Sequence, residues 1–415
     1  MKSKITNLSL ADSGKKQYLW AYNHMPILTK TIEKAAKETD FEGAPIAVCL
    51  HVTKETSVLV TGLKKLGADV FLASANPLST QDDIAAYLDS EGVHVFAWRG
   101  QTANEYDDCI REILRGKPKV VMDDGSDAHI MLHEEKEFRP LRPVGVTEET
   151  TTGVMRLRAL DKAGKLRYPV IAVNNAQTKH LFDNRYGTGQ STFDGILRAT
   201  SLLMAGKDIV VCGYGWVGRG IATRARGFGA LTTVVEVDPV RALEARMDGF
   251  NVLPMAEAAR IGDVFITATG QTHVIRVEHM KRMKDDAILV NAGHFDVEID
   301  VKGLQHLTKN AREVRSNVEE FILANGRKLY LIGQGRIANL VAAEGHPPEV
   351  MSMSFSNQLL CAARVFEKGE KMTQQIVDVP KDIDNQVASN ALEAMGIRID
   401  KPTKEQTKYG QSYIV

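Results

Sequence analysis

One stretch of this chain, from Asp208 to Asp238, limits its fold more than any other. It opens with a short apolar run, Ile209–Cys212, that is typical of a buried parallel strand, and a helical pattern follows. Between the two lie three glycines at G-x-G-x-x-G spacing, Gly213, Gly215 and Gly218. A strand, a glycine turn and a helix in this order predict a dinucleotide-binding βαβ unit.

Each glycine has a distinct physical task in such a unit. The first permits a tight turn, the second lets the backbone approach a pyrophosphate, and the third lets the helix pack closely on the strand. The helix presents free N–H groups and its positive dipole end to the phosphates. Glu236 ends the next apolar run, where a carboxylate accepts hydrogen bonds from the ribose and repels a 2′-phosphate. The stretch therefore predicts NAD binding, and the alternative is a glycine-rich turn that binds nothing.

Composition argues against several classes of function. The 415 residues are enough for two or three domains, and 52 basic residues balance 52 acidic ones, so we expect neither nucleic acid nor a membrane surface as a partner. We expect a cytoplasmic protein, because the N-terminus lacks a signal-peptide core and no apolar run could span a bilayer. The cysteines lack metal-ligand or redox spacing and are expected to be buried thiols: Cys49, Cys109, Cys212 and Cys361.

Before the glycine stretch, short apolar runs alternate with helical patterns. The runs predict strands at Ile46–Leu50, Val70–Ala73, Val93–Ala97, Val120–Met122 and Val170–Val173. The patterns predict helices near Glu55–Leu66, Thr80–Leu88 and Tyr106–Leu114. This rhythm predicts a parallel sheet covered by helices on both faces. Because it lacks a glycine fingerprint, this first domain is expected to hold a ligand other than the dinucleotide.

The second half continues the same rhythm around the glycine stretch. Its other regular elements are predicted at Phe193–Met204 for a helix and at Val264–Thr267 and Ile288–Asn291 for strands. Asn325-Gly326, between two apolar runs, predicts a tight hairpin. A long apolar helix, Glu349–Phe366, is expected to return to the first domain, and the tail from Ile376 is expected to be polar and helical.

Polar and ionisable residues follow several of the predicted strands. Ligands of open parallel sheets bind beyond the carboxyl ends of the strands, so these positions are candidates for a small-molecule site. The candidates include His51, Thr53, Glu55, Asp124, Lys179, Asp183 and His294. Two such edges that face each other across a cleft suit a small-molecule enzyme.

Structural interpretations compete with this one. His51 or His294 alone is more often a hydrogen-bonded structural histidine. Asp123-Asp124 could cap the next helix. Lys179 and Asp183, at i, i+4 spacing, could form a surface ion pair worth about 0.3 kcal/mol. Their common position at strand ends favours a site over these alternatives.

Several long strings occur in one order along the chain. They are L-H-V-T-K-E-T (50–56), S-T-Q-D-D (79–83), M-D-D-G (122–125), T-E-E-T-T-T-G-V (147–154), F-D-N-R-Y-G (182–187), G-Y-G-W-V-G-R-G (213–220), N-A-G-H-F-D-V-E-I-D (291–300) and G-H-P-P-E-V-M-S-M-S-F-S-N-Q (345–358). Their combination closely resembles the S-adenosylhomocysteine hydrolase (adenosylhomocysteinase) family. The resemblance runs from about Asn23 to Tyr409. It implies an α/β fold in which two doubly wound, Rossmann-like parallel-sheet domains face each other across a cleft, with a small C-terminal helical tail.

The resemblance also implies a division into domains. Residues 1–185 and 346–375 are expected to bind substrate, residues 186–345 to bind NAD, and residues 376–415 to form a tail that takes part in oligomerisation. A homotetramer, a dimer of dimers, is implied. The sequence ends Y-G-Q-S-Y-I-V without the longer tail that reaches a neighbouring protomer's NAD in many relatives, and Trp216 replaces a common Asp. We expect the retention of NAD to differ at these two places.

The implied reaction is the reversible hydrolysis of S-adenosyl-L-homocysteine to adenosine and L-homocysteine, a step of the methyl cycle. Oxidation of the 3′-hydroxyl by NAD acidifies the C4′ proton, homocysteine leaves by elimination, water adds, and the stored hydride reduces the ketone. The alternatives are an S-inosyl-L-homocysteine hydrolase, an NAD-dependent hydroxy-acid dehydrogenase that releases NADH, and a catalytically silent relative that only binds.

The resemblance assigns roles to residues of the sugar site. Lys179 would accept the 3′-hydroxyl proton, which requires a lowered pKa, and Asp183 would hold the 3′ side of the sugar. Glu149 would bind the 2′ and 3′ hydroxyls. Asp124 and His51 would lie near C4′ and C5′, with the division between base and acid left open. The remaining catalytic assignment is that of the residue beside the nicotinamide, His294.

Further residues are assigned to the purine, a closing segment and a cation. Thr53 and Glu55 would face the purine, where a carboxylate accepts a hydrogen bond from the adenine amine and repels the hypoxanthine oxygen. Gln81 would help to bind a potassium ion with the backbone carbonyls of Glu344 and His346. His346 would close over the substrate, and the other substrate contacts are Met351 and Phe355. The residues assigned to NAD are Thr150, Thr151, Thr152, Asn184, Gly213, Gly215, Trp216, Val217, Gly218, Glu236, Val237, Asn291, Gly293, His294, Asn339 and His346.

Overall fold

Two β-sheets form the framework of the computed structural model, which describes residues 2–412. Met1 and Tyr413–Val415, the end of the expected tail, lie outside the described residues. The strands are β1 (Pro45–Cys49), β2 (Asp69–Ala73), β3 (His94–Phe96), β4 (Val120–Asp123), β5 (Gly145–Glu148), β6 (Val170–Ala172), β7 (Asp208–Cys212), β8 (Leu231–Val235), β9 (Asn251–Val252), β10 (Val264–Thr267), β11 (Ala287–Asn291), β12 (Thr308–Arg315), β13 (Val318–Leu323), β14 (Lys328–Ile332) and β15 (Ile376–Asp378).

Helices connect these strands and cover the faces of both sheets. They are α1 (Ala11–His24), α2 (Pro26–Ala35), α3 (Lys54–Lys65), α4 (Asp82–Ser90), α5 (Ala103–Arg115), α6 (Asp127–Glu134), α7 (Thr151–Lys162), α8 (Gln177–His180), α9 (Thr188–Thr200), α10 (Trp216–Gly227), α11 (Pro239–Met247), α12 (Met255–Ile261), α13 (Val277–Met280), α14 (Val301–Leu307), α15 (Ala338–Val341), α16 (Pro348–Lys368), α17 (Lys381–Ala394) and α18 (Lys404–Gly410). Shorter helical turns occur at Leu8–Leu10, Val173–Asn175, Asp183–Gly187, Gly333–Gly335 and Gly369–Lys371.

The first sheet is parallel throughout and has the strand order β15-β6-β5-β4-β1-β2-β3. The predicted βαβ rhythm is thereby confirmed. Strand order reverses between β1 and β4, so the loops after these two strands diverge and leave a crevice at the carboxyl edge. His51 follows β1 and Asp124 follows β4, which places both at this crevice.

Two strands of this sheet were not predicted. The run of β5 contains a glycine and ends in Glu148, so its apolar signal is weak, although all of its residues are buried. The tail was expected to be helical from Ile376, and this is wrong for its first residues, because β15 pairs with β6. A strand of three residues carries almost no periodicity, and only its neighbour in space defines it.

The second sheet is mixed and has the order β12-β13-β14-β11-β10-β7-β8-β9. Strands β7 to β11 and β14 are parallel, whereas β12, β13 and β14 form an antiparallel meander at one edge. The hairpin predicted at Asn325-Gly326 is confirmed between β13 and β14, with Gly326 at a φ of +86°. Strand order reverses between β7 and β10, so this sheet also opens a crevice, beside the glycine stretch.

Several helix bounds differ from the predictions, and two of the differences have a clear cause in the backbone. The helix predicted over 193–204 spans Thr188–Thr200, because Ser201 adopts a left-handed conformation with a φ of +56° and ends it. The helix predicted from Thr80 begins at Asp82, because Gln81 has an extended backbone. Both differences arise at helix ends, where a single residue's backbone conformation decides.

The long helix α16 returns to the first half of the chain. It packs on α2, α3 and α17 and against β4 and β5. Its buried face includes Phe355 and Leu359, which join the apolar core on one side of the first sheet. All of the cysteines are free and buried, as predicted. Within residues 2–412, no helix is long and apolar enough to cross a membrane.

Candidate active site

A cavity of about 970 Å³ lies between the carboxyl edges of the two sheets. Its walls come from both halves of the chain, and they include most of the predicted site residues. These are His51, Thr53, Glu55, Asp124, Glu149, Thr150, Thr151, Thr152, Lys179, Asp183, Asn184, Gly213, Gly215, Trp216, Val217, Glu236, Val237, Gly293, His294, Asn339, His346, Met351 and Phe355. The positions predicted at strand ends therefore line one cavity, although they lie as far apart in the chain as His51 and His294.

Lys179 is the centre of a buried charged group in this cavity. Its Nζ lies 3.0 Å from Asp183 Oδ2 and 3.9 Å from Glu149 Oε1. It also donates hydrogen bonds to Asn184 Oδ1 at 2.9 Å and to Asn174 Oδ1 at 3.4 Å. Lys179 is only 4% exposed and Asp183 only 3%, so the alternative of a surface ion pair is excluded.

The pKa values of this group show how its protons are distributed. Burial lowers the pKa of Lys179, but the carboxylates of Asp183, Glu149 and Asp124 outweigh it and raise that pKa above its ordinary value. Burial raises the pKa of Glu149 to about 8, although Lys179 opposes the shift. Burial also opposes ionisation of Asp183, yet Lys179 and His346 hold its pKa below the ordinary range. Without ligands Lys179 is therefore an ammonium ion, not the free base that its implied role requires.

A second group joins Asp124 to two histidines. Its Oδ2 lies 3.5 Å from His51 Nε2, and its Oδ1 lies 3.7 Å from His294 Nδ1. His51 Nδ1 forms a hydrogen bond of 2.8 Å with Ser79 Oγ, which fixes the ring. Burial lowers the pKa of His51 to about 4 despite the neighbouring carboxylate, so its ring is neutral at pH 7. A neutral imidazole ring can accept a proton at the nitrogen that does not carry one.

Glu148 fixes the loops that carry Asp124 and Glu149. Its Oε1 accepts hydrogen bonds from the backbone N–H groups of Gly125 and Thr150, both at 2.9 Å, and its Oε2 accepts one from Ser126 Oγ at 2.6 Å. Burial raises the pKa of Glu148 well above its ordinary value, with further contributions from Asp123 and Asp124. This buried carboxyl group ties the end of β4 to the end of β5.

Asp123 has the helix-capping role that the sequence analysis considered for Asp123 and Asp124 together. Its Oδ2 accepts a hydrogen bond of 3.0 Å from the backbone N–H of His129 near the start of α6, and its Oδ1 accepts one from Asp124 N–H. Burial raises the pKa of Asp123 to about 7. Of the two neighbouring acids, only Asp124 lines the cavity.

The start of α3 also borders the cavity. Thr53 is the N-cap of this helix, and Glu55 in its first turn lines the cavity. The Glu55 carboxyl is 1% exposed, and burial raises its pKa, while Lys54 opposes that shift. Lys54 Nζ lies 3.3 Å from Glu55 Oε1, an atom that accepts no other contact of this kind from the described residues. The two carboxylate oxygens have further lone pairs, so Glu55 can also accept a hydrogen bond from a ligand N–H group.

His346 connects the segment before α16 to the sugar end of the cavity. Its Nδ1 contacts Asp183 Oδ1, and its Nε2 lies 3.2 Å from Thr188 Oγ1. Asn339 donates a hydrogen bond to Ser191 Oγ, whereas its Oδ1 has no hydrogen-bond partner among the described residues. Thr152 Oγ1 is also buried and has no hydrogen-bond partner among the described residues, and Thr152 lines the cavity.

The glycine loop has the geometry that its spacing predicts. Gly213 has a φ of +105°, where a side chain would be strained and would also meet the Ala268 carbonyl at 2.8 Å. A Cβ on Gly218 would lie 1.9 Å from the Gly213 carbonyl oxygen, so no larger residue fits there. Gly215 has open space in front of it, with only an Arg241 nitrogen within 4 Å of a Cβ. The loop therefore leaves its backbone accessible where a pyrophosphate would bind.

Glu236 supports this loop and also borders the cavity. Its Oε2 accepts a hydrogen bond of 2.6 Å from Tyr214 N–H, and its Oε1 accepts bonds from Val237 N–H and Asp238 N–H. Each carboxylate oxygen has a further lone pair, so ribose hydroxyls can still donate to it. Together with the unpartnered Thr152 Oγ1 and Asn339 Oδ1, these groups fit a bound NAD.

Four predicted residues do not line this cavity: Gln81, Gly218, Glu344 and Asn291. Gly218 lets the start of α10 pack closely against the backbone of Gly213. Asn291 Nδ2 donates to the carbonyls of Gly293, Phe295 and Gly335, so its side chain shapes the loop after β11 and does not face a ligand. Gln81 Oε1 accepts a hydrogen bond of 3.0 Å from the backbone N–H of Lys54.

Sequence reasoning missed several residues that hold the site in place, Glu148 among them. Gln358 donates a hydrogen bond of 2.6 Å to Glu149 Oε2, and Glu298 accepts hydrogen bonds from Thr269 and Gly270 in the loop after β10. Gln358 lies within the predicted helical run, and a polar residue on its apolar face was the only available signal.

Comparison with known proteins identifies the family. A family model described as S-adenosyl-L-homocysteine hydrolase matches residues 2–144, and one described as its NAD binding domain matches residues 184–345. The adenosylhomocysteinase of Sulfurisphaera tokodaii is 57% identical over 409 residues, which cover 99% of this chain and 98% of that protein. This chain belongs to the S-adenosyl-L-homocysteine hydrolase family. The resemblance drawn from the sequence is thus confirmed, and this member of the family is an enzyme with an NAD-binding domain.

Other members of the S-adenosyl-L-homocysteine hydrolase family are similar over their full lengths. The adenosylhomocysteinase of Aquifex aeolicus is 51% identical over 414 residues, covering 100% of this chain and 99% of that one. The S-inosyl-L-homocysteine hydrolase of Methanocaldococcus jannaschii is 50% identical over 406 residues, covering 98% of each. Among solved structures, a dipicolinate synthase component from Bacillus halodurans has a TM-score of 0.50 at 14% identity, covering 78% of this chain and 99% of that chain. That last similarity concerns the α/β fold alone.

Proposed function

We propose that this protein catalyses the reversible hydrolysis of S-adenosyl-L-homocysteine to adenosine and L-homocysteine. The observation that carries the proposal is the buried group of Lys179, Asp183 and Glu149, which shares one cavity with the glycine loop. A lysine flanked by the Asp183 carboxylate and the Glu149 carboxyl group suits a pair of adjacent sugar hydroxyls. An ordinary hydroxy-acid dehydrogenase would instead need a cationic side chain for the acid group of its substrate.

The group around Lys179 supports a controlled proton transfer from the 3′-hydroxyl. When bound, NAD supplies a reversible hydride acceptor for the 3′ carbon. The Lys179 ammonium is held by the Asp183 carboxylate, and a hydroxyl that donates a hydrogen bond to Asp183 would reduce the negative charge acting on it. The pKa of Lys179 would then fall, and its Nζ could take the hydroxyl proton.

Asp124 and His51 support the movement of a proton at the other side of the sugar. Their facing atoms, Asp124 Oδ2 and His51 Nε2, are 3.5 Å apart, so a proton taken from C4′ by one can pass to the other. Asp124 also faces His294, whose ring centroid lies 5.8 Å from that of His51. This geometry allows either residue to act as the base that takes the C4′ proton, with the other as the acid.

The decisive experiment follows thiol release and NADH absorbance together in the purified protein. With S-adenosyl-L-homocysteine as substrate, we expect free thiol and adenosine to form while no free NADH accumulates. Stoichiometric NADH in solution would contradict the proposal and favour the dehydrogenase.

We further propose that Glu55 selects the adenosyl substrate. A carboxylate accepts a hydrogen bond from the adenine amine and repels the oxygen that replaces it in hypoxanthine. In Glu55→Lys, the preference for adenosyl over inosyl substrate should fall by about 100-fold, since a buried polar mismatch of this kind costs on the order of 3 kcal/mol. The measurement is the ratio of the two kcat/KM values, and an unchanged ratio would remove this role.

The remaining proposals concern organisation. We propose a substrate-binding domain of residues 1–185 and 346–375, an NAD-binding domain of residues 186–345 and an oligomerisation tail of residues 376–415 in a cytoplasmic homotetramer. Exposed apolar side chains near the tail support contact between protomers, since such clusters are unusual on monomers. They are Met395, Ile397 and Ile399. Light scattering of the purified protein at several concentrations tests the assembly.

A further inference from the structure

Lys54 connects the two halves of the active site by pairing with buried Glu55 on one side and with exposed Glu344 on the other. It is the first residue of α3 and only 6% exposed. Its Nζ lies 3.3 Å from Glu55 Oε1 and 3.0 Å from Glu344 Oε2. Glu344 belongs to the other half of the chain, precedes the Gly345-His346 segment, and pairs on its outer side with Arg198 Nη1 at 2.9 Å. One ammonium group therefore bridges the purine end of the cavity and the segment that carries His346.

The residues assigned to a potassium ion do not fit one in this arrangement. Gln81 Oε1 accepts the backbone N–H of Lys54, which uses one of its two lone pairs. The Lys54 side chain, together with Glu344, Gly345 and His346, borders a second cavity of about 590 Å³, so a fixed positive charge already lies beside the expected carbonyl ligands. A second cation there would be repelled by the ammonium and would compete with it for Glu344.

We propose that Lys54 is the resident cation of this site, and that it takes the place of a monovalent metal ion. As a positioning residue, it keeps the Glu55 carboxylate ionised and binds it to the Glu344–His346 segment. The proposed effect of Lys54 on purine selection rests on the proposed function of Glu55. The proposal that the protein binds no potassium ion at this site does not rest on that function.

The electrostatics of the pair are consistent with a permanent charge. The ammonium lies within 3.3 Å of a carboxylate oxygen of Glu55 and within 3.0 Å of one of Glu344, and two carboxylates this close favour the charged form of a lysine. Without the ammonium, burial would be left to favour the protonated form of Glu55, which is a poorer acceptor for an exocyclic amine.

The first test varies the cation around the NAD-loaded wild-type protein. Potassium chloride is titrated against tetramethylammonium chloride at constant ionic strength, and the thermal midpoint and the calorimetric affinity for adenosine are measured. We expect neither to depend on potassium, with an affinity change below about 2-fold. A saturable increase of either quantity with potassium would overturn the proposal. Both readouts are independent of hydrolysis, so they remain valid if the proposed reaction fails.

The second test compares variants of the same helix. Lys54→Met should lower the ratio of adenosine to inosine affinity by about 10-fold or more, since the acceptor charge on Glu55 is lost. Lys54→Arg keeps the charge and should retain most of the ratio. Lys65→Met, an exposed change on α3, is the matched control and should behave as wild type. If Lys54→Met keeps the wild-type ratio, or if Lys54→Arg loses it as completely as Lys54→Met, the proposal is refuted.

Discussion

Glu149 offers the sharpest test of the electrostatics in this cavity. Burial raises its pKa from an ordinary 4.5 to about 8, so the folded protein binds one more proton than the unfolded chain between these pH values. Stability should therefore fall as pH rises through this window, and the full cost should be present above pH 8. Glu149→Gln replaces the carboxyl with a neutral group of the same shape and should remove the cost.

The size of the effect follows from the pKa shift. A difference of about 3.5 pKa units corresponds to about 5 kcal/mol at about 1.36 kcal/mol per unit. At pH 5 the wild-type Glu149 is protonated, so the two proteins should be almost equally stable. At pH 9 the Gln variant should be the more stable one, by an amount that raises its thermal midpoint by on the order of 10 °C.

The assay is thermal unfolding at pH 5 and pH 9 at one fixed NAD concentration, because the stabilisation by NAD depends on the ratio of its concentration to the dissociation constant. Glu33→Gln, a substitution of the same kind at an exposed position of α2, serves as the control and should show no pH-dependent difference. If Glu149→Gln is less stable than wild type at pH 9, or differs from it equally at both pH values, then Glu149 is not a carboxyl with a raised pKa.

Two further predictions concern the cofactor loop and the proton acceptor. Gly218→Ala places a Cβ 1.9 Å from the Gly213 carbonyl oxygen and should weaken NAD binding, measured by fluorescence titration, by at least about 10-fold. The control is Gly227→Ala at the end of α10, where an added Cβ meets open space, and this variant should bind NAD normally. Equal affinities would show that the loop does not need its tight packing. Lys179→Met should lower kcat by at least about 100-fold and abolish the transient NADH absorbance in stopped-flow mixing with adenosine, while a normal transient would assign the 3′ proton to another group.

The sequence by itself determined the NAD loop and the strand edges of the site. Glycine spacing is a local property, because the turn from Gly213 to Gly218 depends on residues that are adjacent in the chain. Positions after apolar runs are equally local, and they placed His51 and Asp124 at one edge once parallel pairing was assumed. The family resemblance added the assignments that periodicity cannot supply, such as those of Glu55 and His346.

Only the tertiary structure decided the charges and the supports of the site. Whether Lys179 is an ammonium or a free base depends on the distances to Asp183 and Glu149, which come from different elements, and on burial of all three. The clamp by Glu148 and the bridge from Lys54 to Glu344 join segments far apart in the chain. Coulomb energy and desolvation depend on separation in space, and sequence spacing carries no information about either for residues on different elements.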